Sequence, residues 1–411
     1  MEENRPQNRV DQPTLQQLPD DLLRNVFHRL PSDPCAFAIV SVAFKAWRRV
    51  VHDEENFLRP FRAAHSNAPP PLLGFFSDVS YGHLQFTPST NSGAASLPAP
   101  PPPQFHAYGC THGRLLIHDN SDKLLLVWDP LTGDKHPIRS PPPGFLPGQS
   151  CGAALVCDAD HAKHADCHTS PFLVVFAYSE HMPPDGWHAP MAPVHTFVCV
   201  YSSETRSWGD RPAATISAGS YFDWKPSAVA GNGAAVYWMT MAESWVLEFH
   251  METQALLLTE TPVEIHDMDF VLAPTMDARL GLAGVMEGSV VLFSWEDDAW
   301  VHRALVRLEA LLDSPVVMGS RVVGFSEEGY SIFLKAGRRV YGINLESGQH
   351  RRVVLETDQE YLSIVYPYSS FYTAAGKAVL NDVQVDQENN NTQSGGENNV
   401  IEVERDDAGS I

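Results

Sequence analysis

Residues 290–300 read VVLFSWEDDAW, an apolar run followed by an acidic turn and a second run that opens at Trp300. Val, Leu and Phe in the first run favour a strand. The acidic residues 296–298 are of the type that favours a turn. This segment therefore predicts a β-hairpin.

The same unit recurs four more times along the chain. The other copies cover residues 124–133, 197–208, 245–253 and 340–348. After a longer first interval they follow one another at spacings of about 45 to 50 residues, the period of a four-stranded propeller blade. Residues 229–238 and 321–333 read as further apolar hairpins in front of two copies, so two hairpins make one blade. The repeat predicts an all-β propeller.

The two ends of the repeat region are predicted to meet. Residues 72–86 and 361–372 are strand-like and lie outside the five copies, so they can form or close a sixth blade. Ring closure removes free sheet edges. Stacked β-sandwiches are the alternative, but they do not explain the fixed period. The expected fold is a propeller of about six blades, in which only residues 300–312 show a helical pattern.

A different pattern lies near the N-terminus, where residues 18–31 read LPDDLLRNVFHRLP. Apolar residues recur at helical spacing, Pro19 suits a first helical position, and acidic residues fill the first turn. Pro31 is predicted to stop this helix. Residues 33–47 supply apolar surface for two further helices. Three helices in about 35 residues are too few to bury a core of their own, so a partner is expected to complete this unit.

This N-terminal segment resembles an F-box. In that family, a three-helix unit binds a Skp-type adaptor, which connects it to a cullin scaffold and so to ubiquitin conjugation. The resemblance implies an adaptor-binding set that consists of Leu18, Pro19, Leu22, Leu23, Val26, Leu30, Pro31, Lys45 and Trp47. Many members have Val-Cys-Lys-x-Trp where residues 43–47 read AFKAW, so Phe44 replaces a cysteine. The alternative is an ordinary helical hairpin with an apolar face.

The repeat region in turn resembles the propeller-like associated domain of plant F-box proteins, especially the grass type. The resemblance is carried by PLLGFF at 71–76, VWDP at 127–130, YSSET at 201–205 and YPYSSFY at 366–372. Together the two resemblances span nearly all of residues 18–372. The predicted organisation is a disordered N-terminus (1–14), an F-box (15–52), a linker helix (53–70), the propeller (71–380) and a disordered acidic tail (381–411).

Composition excludes several classes of function. The formal charge of −22, without a stripe of Lys and Arg, argues against a nucleic-acid partner. No apolar run reaches the length of a membrane span and the N-terminus is polar, so neither membrane insertion nor a signal peptide is expected. The predicted location is the cytoplasm or the nucleus, where the six cysteines stay reduced.

One group of residues has the chemistry of a metal site. Two thiols and three imidazoles lie within a dozen residues, at Cys157, His161, His164, Cys167 and His168. Such ligands suit tetrahedral zinc, but the compact CxxC spacing of a zinc knuckle is missing. The favoured interpretation is a loop that is rich in His and Cys, and no metal or other cofactor is predicted.

Catalysis has little support in the sequence. Residues 148–152, GQSCG, match the G-x-S-x-G pattern of hydrolases, whose serine lies between a strand and a helix. Here a Pro-Gly loop precedes the serine and a strand-like run follows it, so a chance match is the better interpretation. No catalytic residues are predicted.

The resemblance implies a non-catalytic substrate receptor of an SCF-type (Skp-cullin-F-box) ubiquitin ligase. The F-box would bind the adaptor, and the propeller would bind an unknown protein substrate. A non-degradative interaction scaffold is the alternative. A propeller enzyme or metalloprotein, based on the His/Cys group, is the weakest hypothesis.

Overall fold

A computed structural model describes most of residues 18–370. The described residues are 18–30, 40, 44–51, 53–65, 70–78, 84–89, 105–119, 124–139, 150–157, 170–179, 195–209, 214–217, 222, 225–230, 233–240, 245–262, 269–275, 277, 279–311, 319–326, 330–347, 350–356, 362, 364 and 365–370. For residues 54, 78, 105, 119, 214–217 and 350–356 only the backbone is described. The predictions of a disordered N-terminus and of a disordered acidic tail lie outside the described residues.

Twenty-four strands in the described residues form six sheets, the blades of a propeller. Blade 1 contains β1 (Leu72–Asp78), β2 (Leu84–Pro88) and β24 (Val365–Ser369). Blade 2 contains β3 (Phe105–Thr111), β4 (Arg114–Asp119), β5 (Leu124–Trp128) and β6 (Lys135–Arg139). Blade 3 contains β7 (Cys151–Cys157), β8 (Phe172–Ser179), β9 (His195–Ser202), β10 (Ser207–Trp208) and β11 (Ala214–Ser217).

The other three blades each have four strands. Blade 4 contains β12 (Ala228–Ala230), β13 (Ala235–Met239), β14 (Trp245–His250) and β15 (Leu256–Glu260). Blade 5 contains β16 (Phe270–Leu272), β17 (Gly281–Met286), β18 (Ser289–Glu296) and β19 (Ala299–Arg307). Blade 6 contains β20 (Arg321–Ser326), β21 (Ser331–Ala336), β22 (Arg339–Asn344) and β23 (His350–Glu356). The prediction of about six blades is confirmed.

Each repeated unit found in the sequence belongs to the second half of a blade. It comprises the third strand and the turn that leads into the fourth strand. The turns have the expected chemistry. The Asp129 carboxylate accepts hydrogen bonds from the backbone N–H groups of Leu131 (2.9 Å) and Thr132 (3.2 Å), and Asn344 Oδ1 accepts one from Ser347 N–H (2.8 Å). Such local bonds replace strand pairing and favour a tight turn.

The N- and C-terminal strands of the propeller pair in one blade, as predicted. β1 lies between β2 and β24, and Phe75 is the register partner of Pro367 on β24. Because side chains alternate along a strand, adjacent residues of β1 face different neighbouring blades. Phe75 packs on Phe333 of blade 6 at 4.9 Å between ring centroids, whereas Phe76 packs on Trp128 of blade 2 at 5.9 Å. β1 therefore seals the ring on both sides.

The core of the propeller is divided among the interfaces between blades. Six clusters of buried apolar side chains occupy the described part of the ring, each formed by two neighbouring sheets. Tyr366 on β24 also donates a hydrogen bond from its hydroxyl to the Ala107 carbonyl on β3, at 2.6 Å. Every described blade is thus covered by apolar contacts on both faces.

The helical prediction for residues 300–312 is wrong over most of its length. The strand β19 continues to Arg307, and only the four-residue helix Leu308–Leu311 follows it. Pairing with β18 explains the difference, because Val301 and Val306 lie opposite Ser294 and Val290 in a ladder that β-branched residues favour. Local periodicity could not report that pairing.

Helices form the N-terminal region. They are α1 (Asp20–Phe27), α2 (Lys45–Val51), a π-helical turn (Glu54–Leu58) and α3 (Arg59–His65). Pro19 is the N-cap of α1 rather than its first helical residue, and its carbonyl accepts the N–H groups of Leu22 and Leu23. The helix ends at Phe27, four residues before the predicted stop at Pro31. Pro31 and the predicted second helix lie outside the described residues.

Candidate functional site

Helix α1 has one buried and one exposed apolar face. Leu23 and Phe27 are 2% and 4% exposed, whereas Leu22 and Val26 are 51% and 55% exposed. Pro19, Leu22 and Val26 follow one another at spacings of three and four residues, so they share one side of the helix. We call these three residues the α1 ridge. In the described part of the chain, only Leu257 and Val301 are other large apolar side chains with comparable exposure.

The buried face of α1 belongs to a core that the linker segment completes. Leu23 and Phe27 cluster there with Val50 and Val51 of α2 and with Phe57 and Phe61 of the following turn and helix. The Phe27 ring lies edge-on to Trp47 at 5.5 Å and to Phe57 at 6.4 Å. Part of the core that the sequence assigned to a partner is therefore supplied by residues 57–61 of the chain itself.

One ion pair joins α1 to α2, and two others involve Arg24 of α1. Arg49 of α2 contacts the Asp20 carboxylate at 2.9 Å, and Arg24 contacts Asp21 at 2.7 Å and Asp53 at 3.8 Å. Asp53 also accepts a hydrogen bond from the Asn56 backbone N–H at 2.9 Å, and this bond is the main cause that lowers the pKa of Asp53. These contacts add to the apolar packing of the helical core, which holds α1 and its ridge in place.

The predicted adaptor-binding residues occupy three environments. Pro19, Leu22, Val26 and Lys45 are exposed; Leu18, Leu30 and Trp47 lie partly buried against the helical core; and Leu23 is inside that core. Pro31 lies outside the described residues. Leu23 therefore stabilises α1 by packing in the core, and its side chain is not accessible to a partner. Phe44, the departure from the family pattern, packs edge-on to Trp47 at 4.7 Å.

Histidines lie at the joint between α1 and the linker helix. The His28 ring is 4.9 Å from that of Phe57, and His65 stacks on Phe61 at 4.0 Å. Burial lowers the pKa of His28, and the nearby His65 lowers it further. Neutral His28 therefore suits this apolar joint.

The propeller has two faces of different construction. One face, which we call the entry face, carries the turns from first to second and from third to fourth strands. The chain enters β1 there, and Ser370 N–H, at the end of β24, donates to the Pro71 carbonyl at 3.2 Å. The other, distal face carries the connections between blades and between second and third strands. Its long connections 140–149 and 180–194 lie outside the described residues.

Two tryptophans join the outer strands of neighbouring blades. The Trp208 indole N–H of blade 3 donates to the Arg139 carbonyl of blade 2 at 2.8 Å, and the Trp300 indole N–H of blade 5 donates to the Glu260 carbonyl of blade 4 at 2.8 Å. Each acceptor is the last residue of the preceding outer strand. The sequence pattern includes the aromatic residue at Trp300, but nothing in it predicts contacts between blades.

The serine of the GQSCG motif has a structural environment. Ser150 Oγ accepts a hydrogen bond from the Phe222 N–H at 2.7 Å and lies 3.3 Å from the Phe222 carbonyl. Strand β7 follows it directly. The next residue, Cys151, lies 3.1 Å from the Tyr108 hydroxyl, and burial raises the pKa of its thiol to about 11. A thiol that is protonated at neutral pH is a poor nucleophile.

Only Cys157 of the His/Cys group is described, at the end of β7, and it forms no disulfide with any described cysteine. His161, His164, Cys167 and His168 lie outside the described residues, so the group stays a prediction. Within the described part of the chain, no three His, Cys, Asp or Glu side chains converge in a way that could hold a metal ion.

Comparisons with known proteins give structural relatives alone. No family model and no curated protein matches the sequence. Three similar solved structures are TolB from Acinetobacter baumannii (11% identity, TM-score 0.42, 74% of this chain and 68% of that chain), a functionally unknown protein from Desulfotomaculum acetoxidans (9%, 0.39, 72% and 89%) and a protein of unknown function from Bacteroides caccae (13%, 0.39, 73% and 99%). Across the described residues, every helix is too short or too polar to cross a membrane.

Proposed function

We propose that this protein is the substrate-recognition subunit of an SCF-type ubiquitin ligase. In this proposal the α1 ridge binds a Skp-type adaptor, which brings a cullin scaffold, and the propeller binds the target protein. The observation that carries the proposal is the exposure of Leu22 and Val26, one turn apart, directly above a well-packed helical core.

Adaptor binding at the ridge has a clear physical driving force. Covering an exposed Leu or Val side chain contributes about 1.5–3 kcal/mol when burial is complete. Leu22 and Val26 are a rigid pair because Leu23 and Phe27 anchor the same helix from its other side. Little conformational freedom is then lost on binding, which favours affinity.

The contribution of this subunit to ubiquitin transfer is proximity. Partner enzymes carry the ubiquitin thioester, and the receptor raises the effective concentration of a target lysine near it. We propose the distal face for the target, because the chain enters the propeller at the opposite face. Only residues 66–69 separate the described end of the linker helix from Pro70, so the linker is short.

The test is co-purification of the full chain with a Skp-type adaptor. Capture by the intact chain and loss of capture after deletion of residues 1–65 are expected. The paired change Leu22→Asp and Val26→Asp should also abolish capture. Leu257→Asp is the matched control, because Leu257 is 48% exposed on the propeller, and it should leave capture unchanged. Normal capture by the ridge variant would refute the assigned interface.

The alternative function is a non-degradative propeller scaffold. It is motivated by Phe44, which packs on Trp47 at the position where the family commonly has cysteine. Adaptor capture without ubiquitin conjugation of any co-purifying protein, in a reconstituted ligase, would favour the scaffold. Conjugation of a propeller-bound protein would favour the receptor.

A further inference from the structure

Blade 5 has the longest outer strand among the described blades. Its strand β19 is nine residues long, and among the described residues it pairs with β18 alone. By contrast, β6 carries Pro137, and the outer edge of blade 3 is split between β10 and β11. Proline and interruption are devices that prevent edge-to-edge pairing.

The exposed side chains of this edge are cationic and apolar. Residues 299–304 form a regular ladder with β18, and the register shifts at Leu305. Val301, His302 and Arg303 are exposed along this ladder, as is Arg307 beyond it. Neither arginine forms an ion pair with any described residue. The register shift places Arg307 on the opposite side of the sheet from Arg303, so Arg303 is the arginine on the side that also carries Val301.

The acidic tail of the same chain contains a complementary segment. Residues 400–404 read VIEVE, in which β-branched residues alternate with Glu402 and Glu404. In an extended strand, Ile401 and Val403 lie on one side and the two glutamates on the other. Such a segment can form backbone hydrogen bonds with a free sheet edge, and its side chains determine which edge it binds.

We propose that residues 400–404 bind in cis to the outer edge of blade 5 as a fifth strand beside β19. The glutamates then face the side of the edge that carries Arg303, while Ile401 and Val403 lie on the side of His302 and Ala304. Reach is no obstacle, because the chain between Ser370 and Val400 can extend to roughly 100 Å at about 3.3 Å per residue. The inference does not depend on the proposed ligase function.

Hydrogen exchange on the full-length chain tests this pairing. The backbone N–H groups of residues 299–304 that point outward should be protected in the wild type. Val403→Pro removes a backbone donor in the segment, so these amides should exchange faster. The expected increase is about tenfold, for a local tail concentration of about 1 mM and a Kd of about 100 μM for the binding of the segment to β19. The matched control Val385→Pro, in the other Val-containing strip of the tail, should leave exchange unchanged.

A charge swap tests the same pairing independently. Arg303→Glu should reduce protection of β19, and combining it with Glu402→Lys and Glu404→Lys should restore protection. Equal exchange of residues 299–304 in the wild type and Val403→Pro would overturn the proposal, as would a larger effect of Val385→Pro. Protection that depends on protein concentration would assign the edge to the tail of a second copy and overturn pairing in cis.

Discussion

The helical region and the propeller solve the burial of apolar residues in different ways. The helical region has a single core cluster, and α1 leaves Leu22 and Val26 in solvent above it. In the propeller, six clusters lie between neighbouring blades, and pairing of β1 with β24 closes the ring. The difference indicates where each region depends on others: the blades complete one another, whereas the helical region presents an uncovered surface.

The largest expected effect separates the two sides of α1. Leu23→Ala should destabilise the helical region by about 3 kcal/mol, because it leaves a cavity beside Phe27, whereas Leu22→Ala should change its stability by less than about 0.5 kcal/mol. Hydrogen exchange of residues 20–27 and 45–51 in the full chain measures both. Similar effects of the two substitutions would contradict the assignment of buried and exposed faces.

A second prediction concerns the tight approach of blades 3 and 4. A Cβ added at Gly152 would lie 2.5 Å from Cδ1 of Trp238, whereas nothing lies within 4 Å of one added at Gly109. Gly152→Ala should therefore cost about 1–3 kcal/mol through overpacking. The control Gly109→Ala, also on an inner strand, should be close to neutral. Thermal unfolding followed by near-UV circular dichroism compares them, and equal melting temperatures would show that the interface can relax.

Acidification should weaken both regions through one histidine in each. Burial lowers the pKa of His136 in blade 2, and the charges of Arg206 and Arg114 lower it further. In the helical region, burial and the nearby His65 lower the pKa of His28. A histidine with a depressed folded-state pKa takes up its proton more readily when unfolded, so stability falls as pH drops through the ordinary value of 6.5 and levels off below the folded pKa.

Substituting each histidine by glutamine locates this effect. His136→Gln should flatten the pH dependence of propeller unfolding between about pH 7 and the folded-state pKa, and His28→Gln that of local opening in the helical region. Hydrogen exchange at several pH values resolves the two regions. An unchanged slope in the propeller of His136→Gln would show that other groups control its acid sensitivity.

The tryptophan bridges predict smaller, additive losses. Trp208→Phe and Trp300→Phe each remove one indole hydrogen bond between outer strands, at a cost of about 0.5–1.5 kcal/mol, in addition to any loss of packing. The two bridges join different pairs of blades, so the double variant should equal the sum of the singles within about 0.5 kcal/mol. Denaturant unfolding measures this, and strong non-additivity would mean that the blades do not act as separate interfaces.

The smallest expected effect is that of the Arg49–Asp20 ion pair. Both side chains are substantially exposed, so Arg49→Ala should cost at most about 1 kcal/mol, and less at high salt. Hydrogen exchange of α1 at low and high salt provides the measurement. A cost that persists at high salt would indicate packing of the arginine stem rather than charge.

Sequence reasoning was most successful where the signal was repeated. Five copies, the last four at spacings of about 45 to 50 residues, predicted the blades, and the two unmatched ends predicted closure by residues now in β1, β2 and β24. It failed at residues 300–307, where pairing with β18 overrides the helical spacing. For the candidate site it selected Leu22, Leu23 and Val26 together, because a helical stripe does not tell which edge of the stripe is covered. Residues that pair across blades, such as Trp300 with Glu260, have no local signal at all.

The amino-acid sequence by itself determined the blade unit, a ring of about six blades and the amphipathic character of α1, because these follow from short-range alternation, turn chemistry and helical spacing. Only the tertiary structure decided that Leu23 is inside while Leu22 and Val26 are outside, that residues 57–61 complete the helical core, and that β19 ends the sheet of blade 5 with uncovered arginines. Each of those outcomes depends on contacts between segments distant in the chain, and such contacts leave no periodic trace in the sequence.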